Sequence, residues 1–194
     1  MQYQAIVIGT SAGGLHVLTA LFEVLPRDYP IPVIVTQHRA NEQTDLLEEV
    51  LQYKCKIQIK QADEKEHIVS GRIYTAPAGY HLLIERNRIF SLASDVPVKF
   101  SMPSIDVLFE SAAVAYKNTL IGIILTGAND DGAAGIQRIK EVQGMTIAQD
   151  PAEAQFPTMP KAAIATGKID AVWKINAIRK FLLELPLQIK DGKL

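Results

Sequence analysis

The chain has 194 residues, 48% of them hydrophobic, and its 20 Lys and Arg against 21 Asp and Glu leave a formal net charge of −1. That size fits one domain, residues 1–194, with a full core, and the interspersed charge gives no electrostatic case for nucleic acid or an anionic membrane. The single cysteine, Cys55, excludes an internal disulfide, and no apolar run nears the roughly 20 residues that cross a bilayer, so a cytoplasmic protein without membrane insertion is expected.

Met1-Gln2-Tyr3-Gln4 leads straight into the first strand, so no signal peptide is expected. Ala5-Ile6-Val7-Ile8 reads as a strand buried on both faces, as in a parallel sheet. It stops at Gly9, and the amphipathic run Leu15, Val17, Leu18, Leu21, Phe22, Leu25 predicts a helix just past Gly14. A turn over Pro26–Pro30 precedes a second buried strand, Pro32–Gln37, which ends at His38. A helix over Asp45–Leu51 has Thr44 as its N-cap. Short strands follow near Lys56–Lys60 and Arg72–Ala76, and His81–Glu85 with Arg88–Leu92 read as a hairpin at the sheet edge.

Pro103-Ser104 opens a helix through Tyr116, and Leu120–Leu125 is the most hydrophobic strand. Its glycine-rich exit, Thr126–Gly132, leads into a helix from Ala133 to about Val142. A strand at Met145–Gln149, a helix near Met159–Thr166, a strand around Asp170–Trp173 and a helix over Ala177–Leu185 complete the chain. Strands alternating with helices predict an α/β fold, a doubly wound and mostly parallel sheet with helices on both faces and a small antiparallel edge hairpin.

Ligands of such sheets bind beyond the carboxyl ends of the strands. Three chemically suggestive features sit at such ends: Ser11, His38 and the pair Asp130/Asp131. Ser11 lies on a tight strand-to-helix turn, in a Gly9-x-Ser11-x-Gly13 pattern that matches a nucleophile elbow. The helix behind it directs N–H groups and partial positive charge at the same place, which favours an oxyanion. The dinucleotide fingerprint is a near miss, because Ser11 replaces its middle glycine.

A serine hydroxyl needs a base to take its proton, imidazole has a suitable pKa, and a carboxylate fixes the imidazole tautomer. The order Ser, His, Asp differs from that of α/β-hydrolases. Plainer readings exist for each group: a satisfied histidine after a strand, and an Asp-Gly helix cap before Ala133. His16 falls on the first helix, His67 in a polar loop and His81 at a turn, none with an evident carboxylate partner.

Several ordered motifs carry a family resemblance. They are Gly9-x-Ser11-x-Gly13-Gly14, Thr36-Gln37-His38, Ala76-Pro77 near Tyr80-His81, Pro103-Ser104-Ile105-Asp106-Val107-Leu108-Phe109, Leu125-Thr126-Gly127 before Asp131-Gly132-Ala133-Ala134-Gly135, and Ile147-Ala148-Gln149-Asp150. From Ala5 to about Trp173 the chain resembles the catalytic domain of chemotaxis protein-glutamate methylesterases of the CheB type. The resemblance implies a serine hydrolase that demethylates glutamyl methyl esters of chemoreceptors, with glutamine deamidation as a related activity. It puts the nucleophile at Ser11, the base at His38 and the carboxylate at Asp131.

Backbone amides of Ala12 and Ala128 would hold the oxyanion, Thr10, Gln37 and Asn129 would shape the pocket, and neither metal nor cofactor is called for. The chain departs from the family pattern at Ala128-Asn129, where Met-Gly is usual, at Met102, where Arg is common, and in the loop Arg39–Gln43. With four residues before the first strand, a receiver domain is not expected, and control is expected from a regulator in trans. An esterase or amidase for another substrate, and a non-catalytic signalling module of the same fold, are the competing readings.

Overall fold

The computed structural model describes residues 3–39, 46–94, 96–98 and 101–190. Among these, seven strands form one parallel sheet: β1 (Ala5–Thr10), β2 (Val33–Gln37), β3 (Gln58–Gln61), β4 (Arg72–Thr75), β7 (Leu120–Ile124), β8 (Met145–Gln149) and β9 (Ala171–Trp173). Their order across the sheet is β3-β4-β2-β1-β7-β8-β9. The winding reverses between β1 and β7, which opens a crevice beyond their carboxyl ends.

Alternation along each strand divides the core into two layers. From β1, Ile6 and Ile8 face the layer built by α1 (Gly14–Phe22), α2 (Leu47–Lys54) and α6 (Ile175–Lys190). Ala5 and Val7 face the opposite layer of α3 (Ile105–Tyr116), α4 (Ala133–Glu141) and α5 (Thr158–Ala165). The inner strands thus bury both faces and read as continuous apolar runs, as the sequence indicates.

The hairpin, β5 (His81–Ile84) with β6 (Phe90–Ala93), differs from expectation in its attachment. It is a two-stranded sheet of its own, not hydrogen-bonded to an edge of the main sheet. Leu82, Ile84 and Phe90 join the core layer of α3, and antiparallel backbone bonds to the segment after β3, Lys65 N to Phe90 O at 2.9 Å and Phe90 N to Glu66 O at 2.9 Å, help seat the hairpin. His81, placed at a turn by the sequence, lies on β5 and is buried. The observed α2 starts at Leu47; the expected cap Thr44 and helix start Asp45 lie outside the described residues, as do Ala40–Gln43 of the altered loop.

Helices α3 and α4 pack closely where their first turns frame the crevice. The Gly135 amide donates to Asp106 Oδ1 at 2.8 Å. A Cβ on Gly135 would sit 2.4 Å from Phe109 Cβ, so only glycine admits this approach. Gly135→Ala is expected to lower the unfolding free energy by about 1–3 kcal/mol through overpacking, read as a lower denaturant midpoint at unchanged slope.

Candidate active site

Ser11 leaves β1 through a turn whose amide donates to the Thr126 carbonyl at 3.0 Å. Gly13 caps α1 with φ of 79°, a left-handed conformation that suits glycine. Gly14 lies so close to β2 that a Cβ would fall 1.9 Å from Gln37 Oε1. The serine is half-buried at the foot of α1, and among the described residues its hydroxyl has no hydrogen-bond partner.

Thr10 and Gln37 are register partners in the ladder of β1 and β2, and the His38 amide extends it by donating to Thr10 O at 3.0 Å. Ser11 and His38 therefore leave neighbouring strands at the same level, where strands lie about 4.8 Å apart. The Gln37 side chain ties them further: its Nε2 donates to Ser11 O at 2.9 Å and to His38 O at 2.8 Å.

From the other side of the crevice, the exit of β7 delivers Asp131. It is fully buried, whereas Asp130 beside it is exposed, and the carboxylate that meets the imidazole is that of Asp131. Its oxygens accept from Ser104 Oγ at 3.0 Å, from the amides of Ile105 at 2.7 Å and Asp106 at 3.1 Å, and from Gly132 N at 3.0 Å. The first two amides of α3 thus find an acceptor, and the positive end of that helix faces the negative charge. His38 Nε2 completes the shell, 2.7 Å from Asp131 Oδ2.

Burial works against ionising Asp131, but the His38 hydrogen bond and the Ile105 and Asp106 amides outweigh it and hold the carboxyl below its ordinary pKa. An ionised Asp131 accepts only, so Nε2 of His38 carries the proton and Nδ1 presents its lone pair. That assignment leaves Nδ1 as the nitrogen able to accept a proton. It faces Ser101 Oγ at 3.3 Å, and Asn129 Nδ2 donates to the same oxygen at 3.5 Å.

A cleft of about 910 Å³ opens here, and Ser11, Ala12, Gln37 and His38 line it together with α1 and the side of α2 bearing Val50. Among the described residues the Ala12 and Ala128 amides donate to no protein acceptor, although only Ala12 borders this cleft. Thr10 lies behind the wall, fully buried, with its hydroxyl donating to Thr126 O at 2.8 Å. Asn129 stands across His38 beside Ser101.

Sequence reasoning did not find Ser101, whose neighbours offer no spacing signal. It also left His81 without a role. The His81 ring lies between two segments: its Nδ1 accepts from the Ser104 amide at 3.1 Å and its Nε2 faces Val96 O at 3.2 Å. His81 thus steadies the strap that carries Ser101 and Ser104. Met102 follows Ser101 directly. Among the described residues no helix is long and apolar enough to cross a membrane.

Four comparisons bear on this site. The family model described as CheB methylesterase matches residues 6–182. A protein of Leptospira interrogans serovar copenhageni, provisionally named for glutamate methylesterase and glutamine glutaminase activities, is 44% identical over 185 residues, which are 95% of this chain and 96% of that one. The protein-glutamate methylesterase/protein-glutamine glutaminase 1 of Geobacter metallireducens is 40% identical over 170 residues. There the match covers 86% of this chain but 47% of the relative, so the chain spans about half that protein's length. The crystal structure of the Thermotoga maritima CheB methylesterase catalytic domain superposes with a TM-score of 0.90 at 31% identity, covering 95% of this chain and all of that one.

The depressed Asp131 pKa has a thermodynamic consequence. Its stabilising contribution is complete above the unfolded carboxylate value, 3.8, and is lost as the pH falls from there through the lower folded value. Asp131→Asn, which cannot ionise, is expected to flatten the acid-side fall in stability. Urea midpoints taken from about pH 6 down to about pH 3 measure this, and an unchanged slope contradicts it.

Proposed function

Because the chain belongs to the CheB methylesterase family, we propose that it hydrolyses glutamyl methyl esters on chemoreceptors, with Ser11 as nucleophile, His38 as base and Asp131 as the carboxylate that orients it. The observation that carries the assignment is the 2.7 Å contact of His38 Nε2 with a buried, multiply hydrogen-bonded Asp131, one strand away from a Ser11 hydroxyl that has no partner among the described residues.

Ser11 Oγ attacks the ester carbonyl while its proton passes to His38 Nδ1. Asp131 stabilises the imidazolium without taking the proton itself. Collapse of the tetrahedral intermediate breaks the carbonyl–methoxy bond, and the imidazolium returns the proton to the departing oxygen, releasing methanol. Water then repeats the path on the acyl-enzyme and leaves a glutamate carboxylate. The Ala12 and Ala128 amides are the proposed oxyanion donors, and Gln37 keeps nucleophile and base in register.

The same route with ammonia as leaving group converts glutamine to glutamate, the second activity in the relatives' names. In this reading residues 1–194 act as one catalytic domain in the cytoplasm, and control comes from a regulator in trans.

Ser11→Ala is expected to cost roughly 10⁴–10⁶ in kcat at unchanged fold, measured as methanol released from a methylated receptor fragment. Full activity in that variant rejects Ser11 as nucleophile. Turnover of small methyl esters without release from the receptor fragment keeps the chemistry and rejects the substrate.

A further inference from the structure

The nitrogen that must take the Ser11 proton is already engaged. Asp131 is ionised and fixes the Nε2 proton of His38, so the lone pair of the ring is on Nδ1, and the hydroxyl in contact with Nδ1 is that of Ser101, at 3.3 Å. Asn129 Nδ2 donates to Ser101 Oγ at 3.5 Å, which leaves the Ser101 proton to point at the imidazole. Ser11, by contrast, has no hydrogen-bond partner for its hydroxyl among the described residues.

From this exchange of partners we infer that Ser101 is a positioning residue whose hydroxyl caps His38 Nδ1 in the substrate-free site and must release it before Ser11 can be deprotonated. The inference rests on the proposed roles of Ser11 and His38. The cap keeps the ring in the tautomer and orientation that Asp131 requires. It also lowers the reactivity of Ser11, because the hydrogen bond to Nδ1 has to break first. Ser101 keeps its own proton throughout.

His81 holds described residues on either side of the cap in sequence. His81 Nε2 meets Val96 O at 3.2 Å, and His81 Nδ1 accepts from Ser104 N at 3.1 Å. Ser104 Oγ in turn donates to Asp131 Oδ1 at 3.0 Å, so the strap touches His38 directly through Ser101 and indirectly through Asp131. A bound ester that displaced Ser101 would leave the Ser104 contact in place. The base is uncapped without loss of its carboxylate.

A fluorophosphonate tests this on the whole chain. Ser11 Oγ forms a bond to phosphorus, the phosphorus–fluorine bond breaks to release fluoride, and the Ser11 proton passes to His38 Nδ1. Ser101→Ala is expected to label Ser11 about two- to tenfold faster than the unmodified protein, the factor set by one hydrogen bond of about 0.5–1.5 kcal/mol. Ser101→Thr restores the hydroxyl and should bring the rate back down.

A gain in rate is a sign that a merely structural role would not give. Slower or unchanged labelling of Ser11 in Ser101→Ala overturns the cap and leaves the proposed triad standing. Peptide mapping separates the remaining outcomes: label on Ser101 shows that the second hydroxyl is the nucleophile, and no label on either serine rejects the serine-hydrolase reading itself.

Discussion

A fully buried carboxylate holds this site together. Asp131 lies at the junction of the β7 exit loop with the first turns of α3 and α4, and among the described residues every hydrogen-bond partner of its carboxylate is a donor: a hydroxyl, three amides and an imidazole. A buried charge left unpaired would cost several kcal/mol, so these donors make its ionised form tolerable. The same set decides which ring nitrogen of His38 keeps its proton. Folding and proton traffic thus depend on one group.

The topology explains how three distant segments meet. β2, β1 and β7 are successive neighbours in the sheet, and the chain reverses its winding between the last two. Residues that follow these strands emerge side by side, although Ser11 and Asp131 are far apart in sequence. Fine positioning then comes from polar contacts outside the ladder, notably the Gln37 amide bridging two carbonyls and Gln149 Oε1 accepting from Thr126 N at 2.9 Å. The carbonyl of Thr126 receives both the Ser11 amide and the Thr10 hydroxyl, so the β7 exit braces the β1 exit.

Much of this was legible in the sequence because its signals are local. Apolar runs bounded by glycine gave the inner strands, and strand ends drew attention to Ser11, His38 and the Asp130/Asp131 pair. What sequence reasoning could not weigh was burial. Adjacent aspartates look alike until one is enclosed by the N-terminus of α3 and the other faces solvent. The hairpin was recognisable from its two short runs, but its seat was not, since packing against α3 involves no pairing pattern. Ser101 and His81 were missed for a related reason: their contacts join residues far apart in sequence, which no periodicity encodes.

The enclosure of the Asp131–His38 contact also bears on ionic strength. Dissolved ions weaken attractions between charges that both reach the solvent, with a Debye length near 8 Å at physiological salt. Here the Asp131 side chain is 0% exposed and that of His38 only 11%. Changes in salt should thus be felt where a charged partner approaches the outer surface, while the interior pair is largely shielded from mobile ions. Encounter and chemistry are in this sense electrostatically insulated from each other.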